Sequence, residues 1–226
     1  RSLLVTGAAG FIGANFVYHW SEAYPEDTIV AFDALTYAGN RARLATLEAG
    51  KRAHFVQANI CDAKAVAQAI EHFEVDTIVH FAAESHVDRS ITGPDAFIET
   101  NIVGTHTLLA AARNAWLTGS GAPHRFHHVS TDEVFGSLSK EAPAFTEDLR
   151  YEPNSPYSAS KAASDHLVRA YHHTYGLNVT TSNCSNNYGP FHFPEKLIPL
   201  CLTNILDGQP LPVYGDGSNI RDWLYV

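Results

Sequence analysis

Two segments of the chain carry residue types that together could take a proton from an alcohol. In the first, Thr131, Asp132 and Glu133 follow one another at the end of a β-like stretch. In the second, Tyr157 and Lys161 lie four residues apart. Side chains at this spacing share one face of a helix, so the lysine ammonium would favour the phenolate and lower the pKa of the tyrosine. The pair is therefore predicted to act as a general base.

Each of these features also has a simpler interpretation. The tyrosine and the lysine could form an ordinary half-exposed helix pair, and the two carboxylates could belong to a solvated turn. We favour a single active site because the two segments occur in this order behind a dinucleotide-binding pattern.

That pattern is a glycine-rich turn near the N-terminus. Residues 3–6 are apolar or β-branched, Gly7, Gly10 and Gly13 follow, and a helical pattern continues to about residue 20. Glycines at this spacing tighten the turn, let the backbone approach a pyrophosphate and let the helix pack on the sheet. The helix N-terminus adds unpaired N–H groups and partial positive charge. We therefore expect a bound dinucleotide.

The second predicted strand, residues 28–32, ends in Asp33, twenty residues after Gly13. A carboxylate at this place can accept hydrogen bonds from ribose hydroxyls, and it would repel a 2′-phosphate. The sequence therefore favours NAD over NADP, although Arg41 and Arg43 nearby would suit the phosphate.

Strand-like and helical segments alternate along the first 183 residues. This alternation indicates an α/β fold with a Rossmann-like, doubly wound parallel sheet, in which ligands bind beyond the carboxyl ends of the strands. The further strands are predicted at 53–57, 77–81, 125–129 and 179–182, and the helices at about 63–73, 94–116 and 155–175. The segments expected to meet at that edge are Asp33, Asn59-Ile60, Ala82 to Ser85 and Ser130 to Glu133.

Beyond residue 183 the pattern changes. Residues 186–190 are rich in turn formers, 195–207 suit a helix and 211–214 suit a short strand. Lys196 and Arg221 could hold a nucleotide diphosphate, although each could equally be a surface charge.

Composition narrows the class of protein. The 226 residues are 45% hydrophobic with a net charge of −9, which suits a soluble globular protein and argues against a nucleic-acid surface. No apolar stretch approaches the roughly 18 residues that span a bilayer and no signal segment is recognisable, so we expect a cytoplasmic protein without membrane contact. The three cysteines should be free thiols, and no metal site is expected because the thirteen histidines lack ligand spacing. Because methionine is absent and the sequence stops at residues 222–226 in the middle of a predicted strand, we expect a chain that is incomplete at both ends.

The residues described so far resemble the extended short-chain dehydrogenase/reductase family, and within it the dTDP-glucose 4,6-dehydratases, over the whole chain. The glycine turn and the Tyr157/Lys161 pair are features of the superfamily. Thr131-Asp132-Glu133 is the discriminating feature, because epimerases of similar fold usually carry small or hydroxyl residues at the acid pair. Further matching segments are residues 35–40, 82–90, 183–190, 194–199 and 221–223.

The resemblance implies a hydro-lyase that uses NAD to convert dTDP-glucose into its 4-keto-6-deoxy product. Tyr157, assisted by Lys161, would take the proton of the sugar 4-hydroxyl while hydride leaves C4, and Thr131 would hydrogen-bond the same oxygen. Glu133 would then remove the C5 proton and Asp132 would protonate the departing 6-hydroxyl, before hydride returns to C6. Adjacent carboxylates in a partly dry cleft can hold the different protonation states that these roles need.

The resemblance also implies cofactor and substrate contacts, residue by residue. Two positions depart from the family pattern: Asn59 stands where aspartate is usual near the adenine, and Phe135 where tyrosine is usual. Cofactor contacts are expected at Gly7, Gly10, Phe11, Ile12, Gly13, Asp33, Ala34, Leu35, Thr36, Asn59, Ile60, Ala82, Ala83, Thr100, Tyr157, Lys161 and Asn187. Substrate contacts are expected at Ser85, Thr131, Asn186, Lys196, Leu197, Pro212, Val213, Tyr214 and Arg221.

The expected organisation has two parts. Residues 1–183 would form an NAD-binding Rossmann domain with the catalytic residues, and residues 184–226 the beginning of a nucleotide-sugar-binding domain. The family completes this second part with roughly a further hundred residues. The alternatives are a related sugar-nucleotide epimerase, a dehydratase for another nucleotide, and an inactive NAD-binding fragment.

A homodimer is expected through the two long helices. Leu108, Leu109, Leu167 and Val168 are its candidate apolar contacts, although packing within one subunit would explain them equally well.

Overall fold

A six-stranded parallel sheet forms the centre of the computed structural model, which describes residues 1–213 and 215–226. The strands are β1 Ser2–Thr6, β2 Thr28–Asp33, β3 His54–Gln57, β4 Thr77–His80, β5 Arg125–Thr131 and β6 Val179–Cys184. Their order is β3-β2-β1-β4-β5-β6, so the direction of winding reverses at β1 and leaves a crevice beyond the ends of β1 and β4. The predicted Rossmann-like, doubly wound fold is confirmed.

Helices cover both faces of this sheet. They are α1 Phe11–Ala23, α2 Ala45–Ala49, α3 Ala63–His72, α4 Val87–Thr92, α5 Asp95–Phe97, α6 Thr105–Arg113, α7 Pro156–Tyr175 and α8 Leu197–Leu206. Because successive strand residues point to opposite faces, the fully buried Leu4 packs in one core layer, and Leu3 and Val5 pack in the other. The first layer includes residues of α3, α6 and α7, and the second includes residues of α1 and α2.

The helix predicted at 94–116 is longer and less regular than expected. After α5 the chain forms wide π-helical turns over Ile98–Gly104, continues as α6, and widens again over Asn114–Ser120. Asn101, at the centre of the first wide segment, is 1% exposed. Its side chain accepts a hydrogen bond from the Glu84 backbone N–H at 2.9 Å and donates to the Ser160 hydroxyl at 2.8 Å. The segment therefore connects the loop after β4 to α7.

Two predictions in the C-terminal part are wrong. Residues 186–190 were expected to be a turn, but Asn186–Tyr188 form strand β7, which pairs in parallel with β8, Trp223–Tyr225. The pairing joins segments far apart in sequence, and no local pattern reports it. The short strand expected at 211–214 is absent from residues 211–213, and Tyr214 lies outside the described residues.

Helix α8 has no buried residue. Leu202 and Ile205 are exposed on it, and Leu206 is 84% exposed.

Within the described residues, no helix combines the length and apolarity needed to cross a membrane. No group of three or more His, Cys, Asp or Glu side chains there could hold a metal ion. The three cysteines form no disulfide.

Candidate active site

A cleft of about 470 Å³ lies at the carboxyl edge of the sheet. All five predicted catalytic residues line it, together with most of the predicted binding residues, so segments far apart in sequence meet in one place. The lining residues that the sequence singled out are Gly7, Gly10, Phe11, Ile12, Gly13, Asp33, Ala34, Thr36, Asn59, Ile60, Ala82, Ala83, Ser85, Thr100, Thr131, Asp132, Glu133, Tyr157, Lys161, Asn186, Asn187, Lys196, Leu197 and Arg221.

Three of the predicted binding residues do not line the cleft. Leu35 has a positive φ of 55°, and its backbone N–H donates to Asp33 Oδ1 at 2.7 Å. Pro212 and Val213 belong to an irregular segment beyond α8, where Val213 is 70% exposed. Without the expected strand, this segment is not held against the cleft.

The glycine turn forms a close-fitting cradle at one end of the cleft. Gly7 has φ of +68°, and a Cβ atom on it would lie 2.8 Å from the Ala82 nitrogen. A Cβ atom on Gly13 would lie 2.2 Å from the Gly7 carbonyl oxygen. Both distances are shorter than van der Waals contact, so only glycine permits this backbone path and leaves room beside it at the start of α1. The cradle fits the pyrophosphate of a dinucleotide.

Asp33 is buried at the end of β2. Its Oδ2 atom accepts from the Ala9 backbone N–H at 2.9 Å, and its Oδ1 atom from that of Leu35. Burial raises the pKa of the carboxyl group, although both backbone hydrogen bonds and the charge of Arg43 oppose the shift. Each carboxylate oxygen retains a further lone pair, so the group can still accept a ribose hydroxyl.

The two arginines that could have favoured a 2′-phosphate are occupied elsewhere. Arg41 pairs with Glu48 at 2.7 Å. Arg43 donates to the backbone carbonyls of Ala9 and Ala38, each at 2.8 Å. Neither arginine lines the cleft.

A single turn of 3-10 helix, Asp132–Phe135, presents the acid pair. Thr131 caps this turn: its hydroxyl oxygen accepts from the Glu133 backbone N–H at 3.2 Å, and the hydroxyl donates to Asp132 Oδ1 at 3.3 Å. Val134 and Phe135 are buried behind the turn. The turn therefore fixes the hydroxyl and the two carboxyl groups side by side at the end of β5.

Both carboxyl groups of this turn hold protons more firmly than usual. Burial raises the pKa of Asp132, and the charge of Asp222 adds to the effect. Incomplete solvation within the cleft is the largest cause that raises the pKa of Glu133, and repulsion from Asp132 raises it further. The positive charges of Arg221 and Lys196 oppose the shift. Raised values are expected of carboxyl groups that exchange protons with a substrate near neutral pH.

The pKa of Tyr157 is raised, whereas the spacing of Tyr157 and Lys161 predicted a lowered value. Burial is the largest cause, and the charge of Glu133 adds to it, while a hydrogen bond with the Thr131 hydroxyl opposes it. Lys161 is not among the groups that shift this pKa, and its Nζ atom donates to the backbone carbonyl of Val129 at 2.9 Å.

Lys161 itself is only 4% exposed. Burial lowers its pKa to about 8, although the charge of Asp165 favours the ammonium. Its protonation is therefore sensitive to small changes in its surroundings near neutral pH.

The opposite side of the cleft, which we call the outer wall, is formed by residues from the 184–226 part. Lys196 and Arg221 bring positive charge to it, and burial lowers the pKa of Lys196. Ser185 donates to Asp222 Oδ2 at 2.8 Å, and Asn186 donates to the Asp222 carbonyl at 3.2 Å. These bonds hold the two ends of the outer wall together beside β7 and β8.

Several lining residues were not singled out from the sequence as site residues. Tyr37 and Glu195 both contact Arg89. The Arg89 guanidinium lies 3.8 Å from the centre of the Tyr37 ring and 3.1 Å from Glu195 Oε2. His192 and Glu195 each have a buried polar atom without a hydrogen-bond partner among the described residues. Arg89 and Glu195 lay in segments matched to the family, but their contact links positions 106 residues apart and has no local signature.

Comparison with known proteins agrees with this geometry. The protein-family model described as GDP-mannose 4,6 dehydratase matches residues 4–226. The chain is 57% identical to dTDP-glucose 4,6-dehydratase 1 of Escherichia coli strain K12, over 99% of this chain and 65% of that protein. It is 59% identical to a dTDP-glucose 4,6-dehydratase of Xanthomonas campestris pv. campestris strain B100, over 99% of this chain and 64% of that protein.

A solved structure agrees as well. The structure of DesIV, a dTDP-glucose 4,6-dehydratase from Streptomyces venezuelae, with NAD and TYD bound, matches with a TM-score of 0.92 and 54% identity, over 100% of this chain and 68% of that chain. This chain spans about 65% of the length of the E. coli relative. The resemblance to dTDP-glucose 4,6-dehydratases that rested on sequence motifs is confirmed. The chain belongs to the GDP-mannose 4,6 dehydratase family.

Proposed function

We propose that the protein catalyses the NAD-dependent dehydration of dTDP-glucose to dTDP-4-keto-6-deoxyglucose. One observation carries the proposal: an alcohol base and an adjacent acid pair share one cleft with a glycine cradle for a dinucleotide. The three relatives named above are dTDP-glucose 4,6-dehydratases that share 57%, 59% and 54% of their residues with this chain, which supports the choice of substrate. The acid pair of Asp132 and Glu133 disfavours the epimerase alternative.

In the first step Tyr157 takes the proton of the sugar 4-hydroxyl as C4 becomes a ketone. Thr131 hydrogen-bonds the same oxygen. Tyr157 must be a phenolate to accept this proton, and the buried ammonium of Lys161, on the same face of α7, would favour that ionised form. NAD, when bound, would supply the acceptor for the C4 hydride and, at the end of the cycle, the hydride for C6.

In the second step the new ketone acidifies the C5–H bond. Glu133 takes this proton, and protonated Asp132 gives its own proton to the departing 6-hydroxyl, so that water is lost between C5 and C6. The raised pKa values of both groups suit this exchange, because one must accept and the other must donate near neutral pH. Glu133 then returns its proton to C5 when C6 has been reduced.

NAD is favoured over NADP because Asp33 lies at the ribose end of the cradle and neither Arg41 nor Arg43 faces the cleft. Asn59 and Ile60 would border the adenine, and Thr100 and Asn187 would border the other parts of the cofactor. Because NAD is regenerated in each cycle, we expect it to be retained between turnovers.

We propose that the nucleotide diphosphate of the substrate binds along the outer wall. Lys196 and Arg221 supply the positive charge, and Ser85 and Asn186 supply hydrogen-bonding groups toward the sugar. In this division, residues 1–183 form the NAD-binding and catalytic domain and residues 184–226 belong to the nucleotide-sugar-binding part.

We also propose a homodimer that pairs α6 and α7 with the same helices of a second copy. Leu108, Leu109 and Val168 are fully or almost fully buried in their own subunit and therefore serve its core. Val103 and Tyr175, which are 46% and 43% exposed, are better candidates for the contact. A cytoplasmic location fits the free cysteines.

The test is an isotope experiment on the full-length protein with dTDP-glucose and NAD in deuterated water. We expect deuterium at C5 together with a 4-keto-6-deoxy product. Glu133→Gln should abolish the C5 label, because proton removal at C5 then has no base. A product inverted at C4 and not dehydrated would instead favour an epimerase, and the loss of activity with another nucleotide base would confirm the thymidine requirement.

A further inference from the structure

A buried carboxylate lies directly behind the candidate active site. Asp165 belongs to α7, one turn beyond Lys161, and is 6% exposed. Tyr157, Lys161 and Asp165 follow one another at intervals of four residues, so their side chains share one face of the helix. Asp165 does not line the cleft and is not used in the proposed reaction.

Asp165 accepts hydrogen bonds from three side chains. Its Oδ1 atom accepts from His128 Nε2 at 3.0 Å. Its Oδ2 atom accepts from the Ser130 hydroxyl at 2.8 Å and from the Tyr151 hydroxyl at 3.0 Å. Three donors around a carboxyl group without exposed surface suit a carboxylate, which can only accept.

Two of these donors lie on either side of Val129. His128 and Ser130 point to the same face of β5, because strand side chains alternate. The carbonyl of Val129, between them, accepts the hydrogen bond from Lys161 Nζ. Asp165 and Lys161 both belong to α7. Asp165 therefore binds β5 on either side of the Val129 carbonyl that accepts the hydrogen bond from Lys161.

The buried titratable groups that face Lys161 from the neighbouring strands are neutral. His80, on β4, and His128, on β5, are fully buried, and burial is the main reason why the pKa of each is lowered, to about 4 for His128. Both imidazoles are therefore neutral at physiological pH. Burial raises the pKa of the Cys184 thiol, on β6, which keeps that group neutral as well.

We propose that Asp165 is a positioning residue for the reaction. It is the counter-ion that keeps Lys161 an ammonium ion. Through His128 and Ser130 it also fixes the Val129 carbonyl, which holds this ammonium behind Tyr157. The proposal rests on the proposed function, in which Lys161 must be charged to stabilise the Tyr157 phenolate. It concerns a residue that contacts neither the sugar nor the cofactor.

The decisive experiment compares Asp165→Asn with Tyr151→Phe in the full-length protein. Asparagine keeps the size of the side chain and removes its charge, whereas Tyr151→Phe removes one buried hydrogen bond to the same carboxylate and leaves the charge. The measurements are kcat and KM for dTDP-glucose between pH 6 and 10, with thermal midpoints as a control for folding.

In the unchanged protein we expect the alkaline limb of kcat near pH 8, since burial lowers the pKa of Lys161 to about 8. Asp165→Asn should move this limb downward by about one pH unit, because Lys161 loses its proton more readily. At pH 8 kcat should fall about fivefold, because the protonated fraction of Lys161 falls from about one half to about one eleventh, while KM changes less than about twofold. Tyr151→Phe should lower the thermal midpoint but leave the alkaline limb in place.

The proposal is overturned if Asp165→Asn keeps the limb of the unchanged protein, or if Tyr151→Phe shifts it equally. If Asp165→Asn does not fold, Ser130→Ala replaces it. Ser130 and Tyr151 both donate to Asp165 Oδ2, but only Ser130 adjoins Val129. Ser130→Ala should therefore lower kcat severalfold, and Tyr151→Phe should not. Equal losses of kcat in the two variants would overturn the proposal. An unchanged protein that forms no 4-keto-6-deoxy sugar would instead refute the proposed function.

Discussion

The two sides of the cleft differ in how firmly the protein holds them. The catalytic wall, which consists of the end of β5 and the facing part of α7, rests on a sheet whose strands are hydrogen-bonded to neighbours and covered by helices on both faces. The outer wall rests on the two-stranded sheet β7-β8 and on α8, which buries none of its residues. A two-stranded sheet alone is at most marginally stable in water.

This difference matches what each wall must do. Proton transfer requires groups fixed to within a fraction of an ångström, and the catalytic wall carries the groups that transfer protons. Binding a flexible diphosphate requires charge within reach, which the outer wall supplies through Lys196 and Arg221. Regions with few buried contacts are also those that open locally at low free-energy cost. Substitutions on the two walls should therefore have different signatures.

The largest effect is expected from Tyr157→Phe on the catalytic wall. Removing the phenolic oxygen removes the base for the 4-hydroxyl, so kcat should fall about 10³-fold while bound NAD is retained. The measurement is turnover of dTDP-glucose together with the dinucleotide content of the purified protein. Tyr24→Phe, which is 50% exposed just after α1, is the control and should keep full activity.

The next largest effect is a difference in stability between two leucines. Leu4→Ala in the core of the sheet should lower the free energy of unfolding by about 2–5 kcal/mol, because it creates a cavity at a fully buried site. Leu206→Ala on α8 should change it by less than about 0.5 kcal/mol in the 226-residue chain. Urea unfolding of both variants measures this difference. Equal losses would show that the two parts form one cooperative core.

Acid should weaken the catalytic wall through its buried histidines. The pKa of His128 is lowered to about 4, so the unfolded chain binds its proton near pH 6.5 while the folded protein does not. Stability from this group is thus complete above pH 6.5 and is lost as the pH falls from 6.5 to 4, by about 3 kcal/mol in total. Unfolding experiments at a series of pH values should show a shallower decline for His128→Asn. Parallel curves for the two proteins would contradict this assignment.

The smallest effect is expected on the outer wall. Arg221→Ala should raise KM for dTDP-glucose about 10–100-fold and leave kcat nearly unchanged, because a charge-assisted hydrogen bond to a phosphate contributes about 1.5–3 kcal/mol to binding. Steady-state kinetics of the full-length protein measure both constants. Arg150→Ala, an exposed arginine paired with Glu152, serves as the control. A loss confined to kcat would place Arg221 on the catalytic side of the reaction.

Local sequence patterns predicted those features of the structure that depend on residues close together in the chain. The glycine spacing before α1 and the alternation of strands and helices predicted the sheet, and the four-residue spacing of Tyr157 and Lys161 placed both on one side of α7. The raised pKa of Tyr157 could be found only from the folded structure, because it depends on burial and on Glu133, 24 residues earlier in the chain.

Contacts between distant segments set the limit of the sequence-based predictions. Strand β7 forms because β8, more than thirty residues later, pairs with it. The local sequence carries no sign of this pairing, so the asparagines of β7 predict a turn. The carboxylate of Asp165 likewise meets Tyr151, Ser130 and His128 only after β5 and α7 have packed together.

The wide turns of Ile98–Gly104 constrain how the length of this chain can vary. Each α-helical residue rotates a helix by about 100°, so deleting one residue ahead of Asn101 would turn its side chain away from Glu84 and Ser160. The loop after β4 and helix α7 would then lose their common hydrogen-bonded residue. Insertions and deletions should therefore be excluded from this segment among functional relatives, while the exposed residues 137–141 can tolerate them.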